Sequence, residues 1–300
     1  MKTLTKKQRA LRNNLTAWIL VAPSLIFMLV FTVYPVFRSI YLSLTRYRLG
    51  MQAPEFVGLE NYINLFGSSL FWKVMGNTLF FALITIIPSM AAGLFLATLV
   101  NRKSRSIGFV RTAFFYPVVM PMIAIASIWM FIYMAKNGLF DQMLVSLGLE
   151  PMNVLSNKST VLPAMAVMYV WKEAGYLMVF FLSGIQSISD EVNEAARIDG
   201  CGVFRSFFKI MIPTIKTGII TVVVISFLNG WNDLIYSMTF NVDADMRPLT
   251  ANIRKFQSKY GTKWNCIMAY GAILVIPVIL AFVFLQKYIV GGLTAGAVKE

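Results

Sequence analysis

Residues 78–100 read TLFFALITIIPSMAAGLFLATLV, an apolar stretch that contains no charged side chain. At ~1.5 Å per helical residue, a stretch of this length can cross the ~30 Å hydrocarbon layer of a membrane. The rest of the chain has the same character, since 58% of its 300 residues are hydrophobic and 13% are charged. Soluble domains carry about 25% charged residues. The composition therefore predicts an all-α, polytopic protein whose solvent is a lipid bilayer.

Six apolar segments are long enough to cross a bilayer, and polar stretches separate them. Basic residues cluster before the first segment and in the loop after the second, which predicts that both regions lie in the cytoplasm. Six crossings return the chain to its starting side, so both termini are expected in the cytoplasm. We treat 1–300 as a single transmembrane domain. The predicted spans are 17–36, 78–100, 113–135, 161–184, 217–240 and 266–286.

The formal net charge is +14, and the chain has no histidine. A basic balance can indicate nucleic-acid binding, but these charges fall in short loops beside apolar runs, where they set membrane topology. The absence of histidine removes the commonest general base and neutral metal ligand, and no phosphate-binding G-x-x-x-x-G-K-[ST] motif is present. We therefore expect no nucleic-acid partner, no catalytic residue, no metal site and no cofactor on this chain, which argues against an enzyme.

A polar segment at 189–213 separates the fourth predicted span from the fifth. Ser189 or Asp190 can cap a short helix that begins at Glu191. Two consecutive alanines keep a helix backbone close to a partner, and a following glycine tolerates positive φ. A second helix with a phenylalanine stripe then leads to the next span. A partner-free amphipathic helix on the membrane surface would explain the stripe but not the small, charged first helix. The residues that set the spacing of this segment are Glu194, Ala195, Ala196, Asp199, Gly200, Ile210 and Pro213.

The spacing E-A-A-x3-G-x9-I-x-I-P in this hairpin resembles the loop with which ABC importer permeases contact their ATPase subunits. The resemblance extends over nearly the whole chain. The F-V-G-L-E-N-Y run at 56–62 is similar to one half of a carbohydrate-type permease pair, the F/A subunit of maltose or glycerol-3-phosphate permeases. The runs at 227–233 and 291–299 are similar to the other half, the G/E subunit. This mixture leaves open which half the chain is, or whether it pairs with itself.

The resemblance implies the permease subunit of a bacterial ABC importer in the cytoplasmic (inner) membrane, moving a sugar or a related solute. It implies two ATPase subunits that bind the ATP, a second permease subunit in a hetero- or homodimer, and an extracytoplasmic solute-binding protein. Through the seven residues that set its spacing, Glu194 to Pro213, the hairpin then contacts the ATPase subunits and couples ATP hydrolysis to transport. Two other classes remain open: a secondary transporter driven by an ion gradient, and a receptor or assembly protein without a transport path.

Polar side chains within a membrane are costly, so they usually face a cavity or a partner. The fourth predicted span runs inward and the fifth runs outward, which places their polar residues at one level. Aromatic platforms, amides and carboxylates suit the apolar faces and hydroxyl rims of sugars. Alternatively, Lys172 pairs with Glu173 while the tryptophans only pack. The candidates for the substrate path are Trp171, Glu173, Asn229, Trp231, Asn232, Asp233 and Tyr236.

The loop after the fifth predicted span carries basic residues on the outer side, against the positive-inside tendency. An outside partner would compensate for these charges, or Asp243 and Asp245 would offset part of them. The basic residues of this loop are Arg247, Arg254, Lys255, Lys259 and Lys263.

Overall fold

The computed structural model describes residues 6–47, 53–102, 105–199, 201–240, 243, 245–258 and 261–295. Within these residues the fold is helical apart from two short antiparallel ladders, which confirms the predicted all-α class. The ladders pair β1 (Thr45–Arg46) with β2 (Glu55–Phe56), and β3 (Gln257–Ser258) with β4 (Gly261–Thr262).

The helices follow the apolar runs, and two π-helical turns and one 3-10 turn join some of them. Each π turn, at Leu29–Val33 and Phe207–Met211, is followed by a helix with a proline in its first two positions. The 3-10 turn is Ile253–Phe256. The α-helices are α1 (Lys6–Met28), α2 (Tyr34–Ser43), α3 (Glu60–Phe66), α4 (Ser69–Val100), α5 (Arg105–Val119), α6 (Met122–Ile132), α7 (Leu139–Ser146), α8 (Val161–Gln186), α9 (Asp190–Ile198), α10 (Val203–Ser206), α11 (Ile212–Thr214), α12 (Lys216–Trp231), α13 (Ile235–Phe240), α14 (Leu249–Asn252) and α15 (Trp264–Ala295).

Five helical segments among the described residues are long and apolar enough to cross a membrane, and a bent helix pair raises the number to six. Six is the number that the apolar runs predict. The five segments are Asn14–Ser43, Ser69–Val100, Val161–Gln186, Lys216–Phe240 and Trp264–Gln286.

The bent pair lies where the sequence predicts one continuous span at 113–135. The structure instead ends α5 at Val119 and begins α6 at Met122, with an angle of 98° between them. Pro121 precedes α6 with a ψ of 138°, which is far from helical. A proline disfavours helical geometry in the residue before it and donates no backbone hydrogen bond, so the helix breaks at this point.

The chain divides into two compact units, of which the first comprises Met1–Leu65 and Phe256–Ile273. Asn61, in the F-V-G-L-E-N-Y run, organises it. Its Nδ2 donates to the carbonyl oxygens of Ser43 at 2.8 Å and Thr45 at 2.9 Å. Its Oδ1 accepts a hydrogen bond of 2.7 Å from Nδ2 of Asn265, in the first turn of α15. One buried amide therefore ties the end of α2 to the beginning of α15.

The second unit comprises Phe66–Lys255 and Leu274–Glu300, and α8 lies at its centre against α4, α5 and α12. Two glycines let these helices approach closely. A Cβ on Gly175 of α8 would overlap the carbonyl oxygen of Phe114, and a Cβ on Gly93 would lie 2.7 Å from Cβ of Leu177. The helix backbones at these points are therefore nearly in contact.

The loop that follows α13 is tied to two neighbouring regions of the same unit by one carboxylate. Oδ2 of Asp245 lies 2.8 Å from Nζ of Lys73, at the start of α4, and 2.8 Å from Nζ of Lys158, before α8. The two lysines lower the pKa of Asp245 to about 2. The two cations that Asp245 pairs with thus lie outside its own loop, and Lys259 of that loop lies outside the described residues.

Candidate functional site

A polar face runs along the middle of α8. Tyr169, Lys172 and Glu173 are spaced by three and four residues, so they project from the same side of the helix. All three are nearly inaccessible, with exposed fractions of 4%, 7% and 6%. Buried polar groups need partners, and α12 and α13 supply them.

Glu173 is the centre of this polar face. Its Oε2 accepts a hydrogen bond of 3.3 Å from Nδ2 of Asn229, in the last turns of α12. Its Oε1 lies 3.9 Å from Nζ of Lys172. The same ammonium group lies 5.9 Å from the centre of the Tyr236 ring, within range of a cation–π contact. The Lys172–Glu173 pairing that the sequence left as an alternative is therefore present in the structure.

Asp233 fills the break between α12 and α13. One carboxylate oxygen accepts from the backbone N–H of Tyr236 at 3.3 Å. The other accepts from the backbone N–H and the hydroxyl of Ser237, at 3.0 and 2.7 Å. This is the role of a helix N-cap, which satisfies donors that have no partner within the helix. The carboxylate thus holds the interruption of the fifth span in one geometry.

Two tyrosines close the cluster. The ring of Tyr169 meets that of Phe81 edge-on at 5.9 Å and that of Tyr236 edge-on at 6.3 Å. The hydroxyl of Tyr236 is fully buried and has no hydrogen-bond partner. A buried donor without a partner is unusual, and the ring that carries it lies against the ammonium group of Lys172.

Four of the seven substrate-path candidates come together in this cluster: Glu173, Asn229, Asp233 and Tyr236. The other three do not. Trp231 is 2% exposed and donates its indole N–H to the carbonyl oxygen of Leu274 at 3.0 Å. Trp171 lies on another face of α8, where its ring packs on Trp129 at 5.8 Å. Asn232 is exposed.

Sequence reasoning did not include Tyr169, Lys172 and Ser237 among the candidates. Each has a spacing signal that could have found it. Tyr169 precedes Glu173 by four residues, and Ser237 follows Asp233 by four, so each pair shares a helix face. Lys172 was named only as a pairing partner of its neighbour, and the structure gives it a central place.

The hairpin between α8 and α12 presents an exposed helix. Glu194, Ala195 and Asp199 are exposed on or next to α9, and Ile198 is 80% exposed. The backbone N–H of Asp199 donates to the carbonyl oxygen of Ala195 at 2.9 Å, which continues the helical pattern past its last residue. Ala196 belongs to α9, while Gly200 lies outside the described residues.

Buried residues anchor the two ends of the hairpin in the hydrophobic core. Ile188, just before α9, is 8% exposed, and Ile215, just before α12, is 5% exposed. Both belong to a hydrophobic cluster that also contains Leu182 and Ile185 of α8. Buried anchors at both ends give the exposed α9 a firm base.

The returning half of the hairpin is less regular than the single helix that the phenylalanine stripe predicts. It consists of α10, a π turn that contains Ile210, and α11 with Pro213. The hydroxyl of Thr214 donates to the carbonyl oxygen of Ile210 at 2.6 Å. A proline ring clashes with the carbonyl four residues earlier in a regular α-helix, and the wider π turn relieves that clash.

Comparison with solved structures finds the same fold in a transporter. A chain in the crystal structure of a bacterial alginate ABC transporter, in complex with an alginate pentasaccharide-bound periplasmic protein, superposes with a TM-score of 0.80. The two chains are 18% identical, and the match covers 93% of this chain and 95% of that one.

Comparison with curated proteins finds permeases. A probable ABC transporter permease protein, YurN of Bacillus subtilis, is 34% identical over 209 residues, which cover 68% of this chain and 71% of YurN. The trehalose/maltose permease protein MalF of Thermococcus litoralis is 29% identical over 239 residues, covering 76% of this chain and 81% of MalF. A family model described as "binding-protein-dependent transport system inner membrane component" matches residues 89–294. The chain therefore belongs to this family of multi-pass permease components of ABC transporters.

Proposed function

We propose that this chain is the permease subunit of a bacterial importer that moves a carbohydrate-type solute across the inner membrane. Two separate ATPase subunits bind and hydrolyse the ATP. A second permease subunit, identical or related, completes the path, and an extracytoplasmic binding protein delivers the solute. The whole chain, 1–300, works as one permease domain with both termini in the cytoplasm. Carbohydrates are proposed because the relatives include permeases for trehalose/maltose and lactose.

The observation that carries this proposal is the exposed α9 on its buried base. A coupling element must present its surface to a soluble partner and transmit the partner's movement to the membrane helices. The exposed Glu194 and Ala195 meet the first requirement. The buried Ile188 and Ile215, which join the hairpin to α8 and α12, meet the second. We infer that Asp199, Gly200, Ile210 and Pro213 shape the turn and the return of this element.

The polar cluster connects this element to a solute path. The helices α8 and α12 leave the two ends of the hairpin and carry Glu173 and Asn229, which hydrogen-bond to each other. A shift of the hairpin would therefore move Asn229, whose exposed amide can contact a solute. We propose that Asn229 and Asn232 contact the solute, with Glu173, Asp233 and Tyr236 behind them. Trp231 serves packing, and Trp171 lies apart from this path.

Cross-linking tests the coupling role. A cysteine replaces Ala195 in a chain that also carries Cys201→Ser, and the complex is purified with its ATPase subunits. We expect a short bismaleimide to join this cysteine to a cysteine in the ATPase groove, and the link to stop ATP-driven uptake. A matched control places the cysteine at Asn153, which is exposed in the loop between α7 and α8.

An active complex that co-purifies with its ATPase but forms no link at position 195 would contradict the coupling role. The same reconstituted complex separates the rival class. Uptake that continues without ATP and collapses with an ionophore would identify a secondary transporter instead.

A further inference from the structure

The middle of the membrane-spanning region has an unequal charge balance. Among the described candidate spans, the cations other than Lys172 lie among the first or last six residues of their span: Arg38, Lys73, Arg111 and Lys216. The interior carries Lys172 against two carboxylates, Glu173 and Asp233. One cation thus faces two anions, all within the polar cluster.

The single ammonium group is already engaged. Nζ of Lys172 lies 3.9 Å from Glu173, 5.9 Å from the centre of the Tyr236 ring, and within electrostatic range of Asp233. Its residue is 7% exposed. A solute passing along α12 therefore meets no available cation in this cluster. Withdrawing Lys172 to bind an anionic solute would leave two buried carboxylates without their counter-charge, which is strongly unfavourable.

The accessible groups are amides. Asn229 and Asn232 are exposed on α12 and at its end. Asn229 directs its Nδ2 to the Glu173 carboxylate, which leaves its Oδ1 as an acceptor for a donor from the solute. A hydroxyl group of a neutral or an anionic sugar can donate such a bond, so hydrogen bonding alone does not separate the two kinds of solute. The charge balance of the cluster does separate them, because it disfavours the anionic group.

We infer that the path through this chain selects uncharged, polyhydroxylated solutes and rejects anionic ones such as uronates and sugar phosphates. This inference rests on the proposed function, and it narrows the solute class. It also separates this chain from relatives whose names imply anionic solutes, such as the sn-glycerol-3-phosphate permease protein UgpA. The excess carboxylate repels an anion at the point where no protein cation is available to bind it.

The local charge can be measured without knowing the solute. Asn229→Cys and, separately, Asn232→Cys are made with Cys201→Ser and Cys266→Ser in the assembled complex. Each is reacted with a cationic trimethylammonium-ethyl methanethiosulfonate and with its anionic sulfonatoethyl counterpart. We expect a cation-to-anion rate ratio roughly fivefold or more above that of 2-mercaptoethanol. Adding Glu173→Gln should lower the ratio most of the way to that of 2-mercaptoethanol, because it removes the excess negative charge.

A ratio equal to or below that of 2-mercaptoethanol at both positions would overturn the inference. So would the absence of reaction at both, because the inference requires that these side chains face the path. Faster uptake of lactobionate than of lactose would overturn it as well. The reagent ratio is read without transport. If position 195 forms no cross-link but the rate ratio is raised as expected, the coupling role is rejected and the inference about charge stands. If the cross-link forms but the rate ratio is not raised, the inference about charge is rejected and the coupling role stands.

Discussion

Lys172 and Glu173 are neighbours in α8, yet their side chains leave the helix about 100° apart and reach different partners. Glu173 turns to Asn229, and Lys172 turns to the Tyr236 ring. Both residues are less than 10% exposed. The stability of each buried charge therefore depends on the other, because neither group can be solvated by water in the folded protein.

Removing only one partner should therefore be more damaging than removing both. We expect Lys172→Met to destabilise the protein by about 3–5 kcal/mol, since it leaves a buried carboxylate without its cation. Lys172→Met combined with Glu173→Gln should recover part of that loss, because the second change removes one of the two buried carboxylates and leaves Asp233. Thermal unfolding in detergent would measure these two variants and Glu173→Gln alone. A double variant as unstable as the sum of the two single variants would show that the groups are not coupled.

Asp245 offers a prediction about pH. Its pKa is lowered to about 2 by Lys158 and Lys73, so its pairing stabilises the fold fully above the unfolded pKa of ~4. That contribution is lost as the pH falls through about 2. We expect Asp245→Asn to lower the melting temperature equally at pH 7 and pH 5, and by less at pH 3. High salt should shrink the difference, because both lysines are exposed.

The neighbouring Asp243 supplies the control, since it is exposed and acts on Lys158 through its charge more weakly than Asp245 does. Asp243→Asn should change the melting temperature little at any of these pH values. If Asp245→Asn lowers the melting temperature more at pH 3 than at pH 7, the pKa of Asp245 is not lowered in the folded protein, which would contradict the prediction.

At the scale of elements, the contact between α8 and α5 depends on one missing side chain. Gly175→Ala would make the added methyl group overlap the carbonyl oxygen of Phe114, so one of the two helices would have to move. We expect the helices to move apart, at a cost of about 1–3 kcal/mol or more, by analogy with other overpacked cores. Thermal unfolding and expression level would both report it.

Gly108→Ala is the matched control, because a Cβ at this position of α5 would meet nothing within 4 Å. Alanine is the better helix former by about 0.5–1 kcal/mol, so this variant should be as stable as the parent or slightly more so. Equal melting temperatures and expression levels of the two alanine variants would mean that the protein's stability does not depend on the close approach at Gly175.

Sequence patterns predicted the helices better than the contacts between them. Hydropathy alone located the region of α4, because an uncharged run of that length has few other structures available in lipid. The same run does not reveal that Gly93 or Gly175 lies against a neighbouring backbone. Prolines at 117 and 121 were visible, but a proline within a span can be absorbed as a kink or can break the helix. Only the structure shows the 98° bend.

The candidate site shows the same limit. The sequence places Glu173, Asn229, Asp233 and Tyr236 at one expected level of the membrane, and the structure brings their side chains into one cluster. The sequence did not show which side of its helix each residue faces, because residues at equal depth can point to opposite sides. Trp171 lies two positions from Glu173, about 200° around α8, and packs on Trp129 instead. Helix rotation is set by packing partners far away in sequence, and the apolar runs do not specify it.

For the whole molecule, the placement of the loops relative to the membrane gives a direct prediction. We expect the loop between α7 and α8 outside and the hairpin inside. In a chain carrying Asn153→Cys, Cys201→Ser and Cys266→Ser, a membrane-impermeant maleimide should label intact spheroplasts. A chain that retains only Cys201, in the hairpin, should be labelled after permeabilisation alone. Labelling of Cys201 in sealed spheroplasts would reverse the proposed orientation.

The Asn61 hydrogen bonds bear on how the protein is made. Asn61 reaches its partner Asn265 across 204 positions of sequence. At about 5–20 residues per second, a ribosome needs roughly 10–40 s to supply that partner after Asn61 has emerged. During this interval the amide oxygen of Asn61 lacks its partner, while its amide nitrogen can already bond to Ser43 and Thr45 at the end of α2. The link between the first and the last membrane helix at this point therefore forms only late in synthesis. We expect a prematurely terminated chain, which lacks this link, to be a better substrate for quality-control proteases.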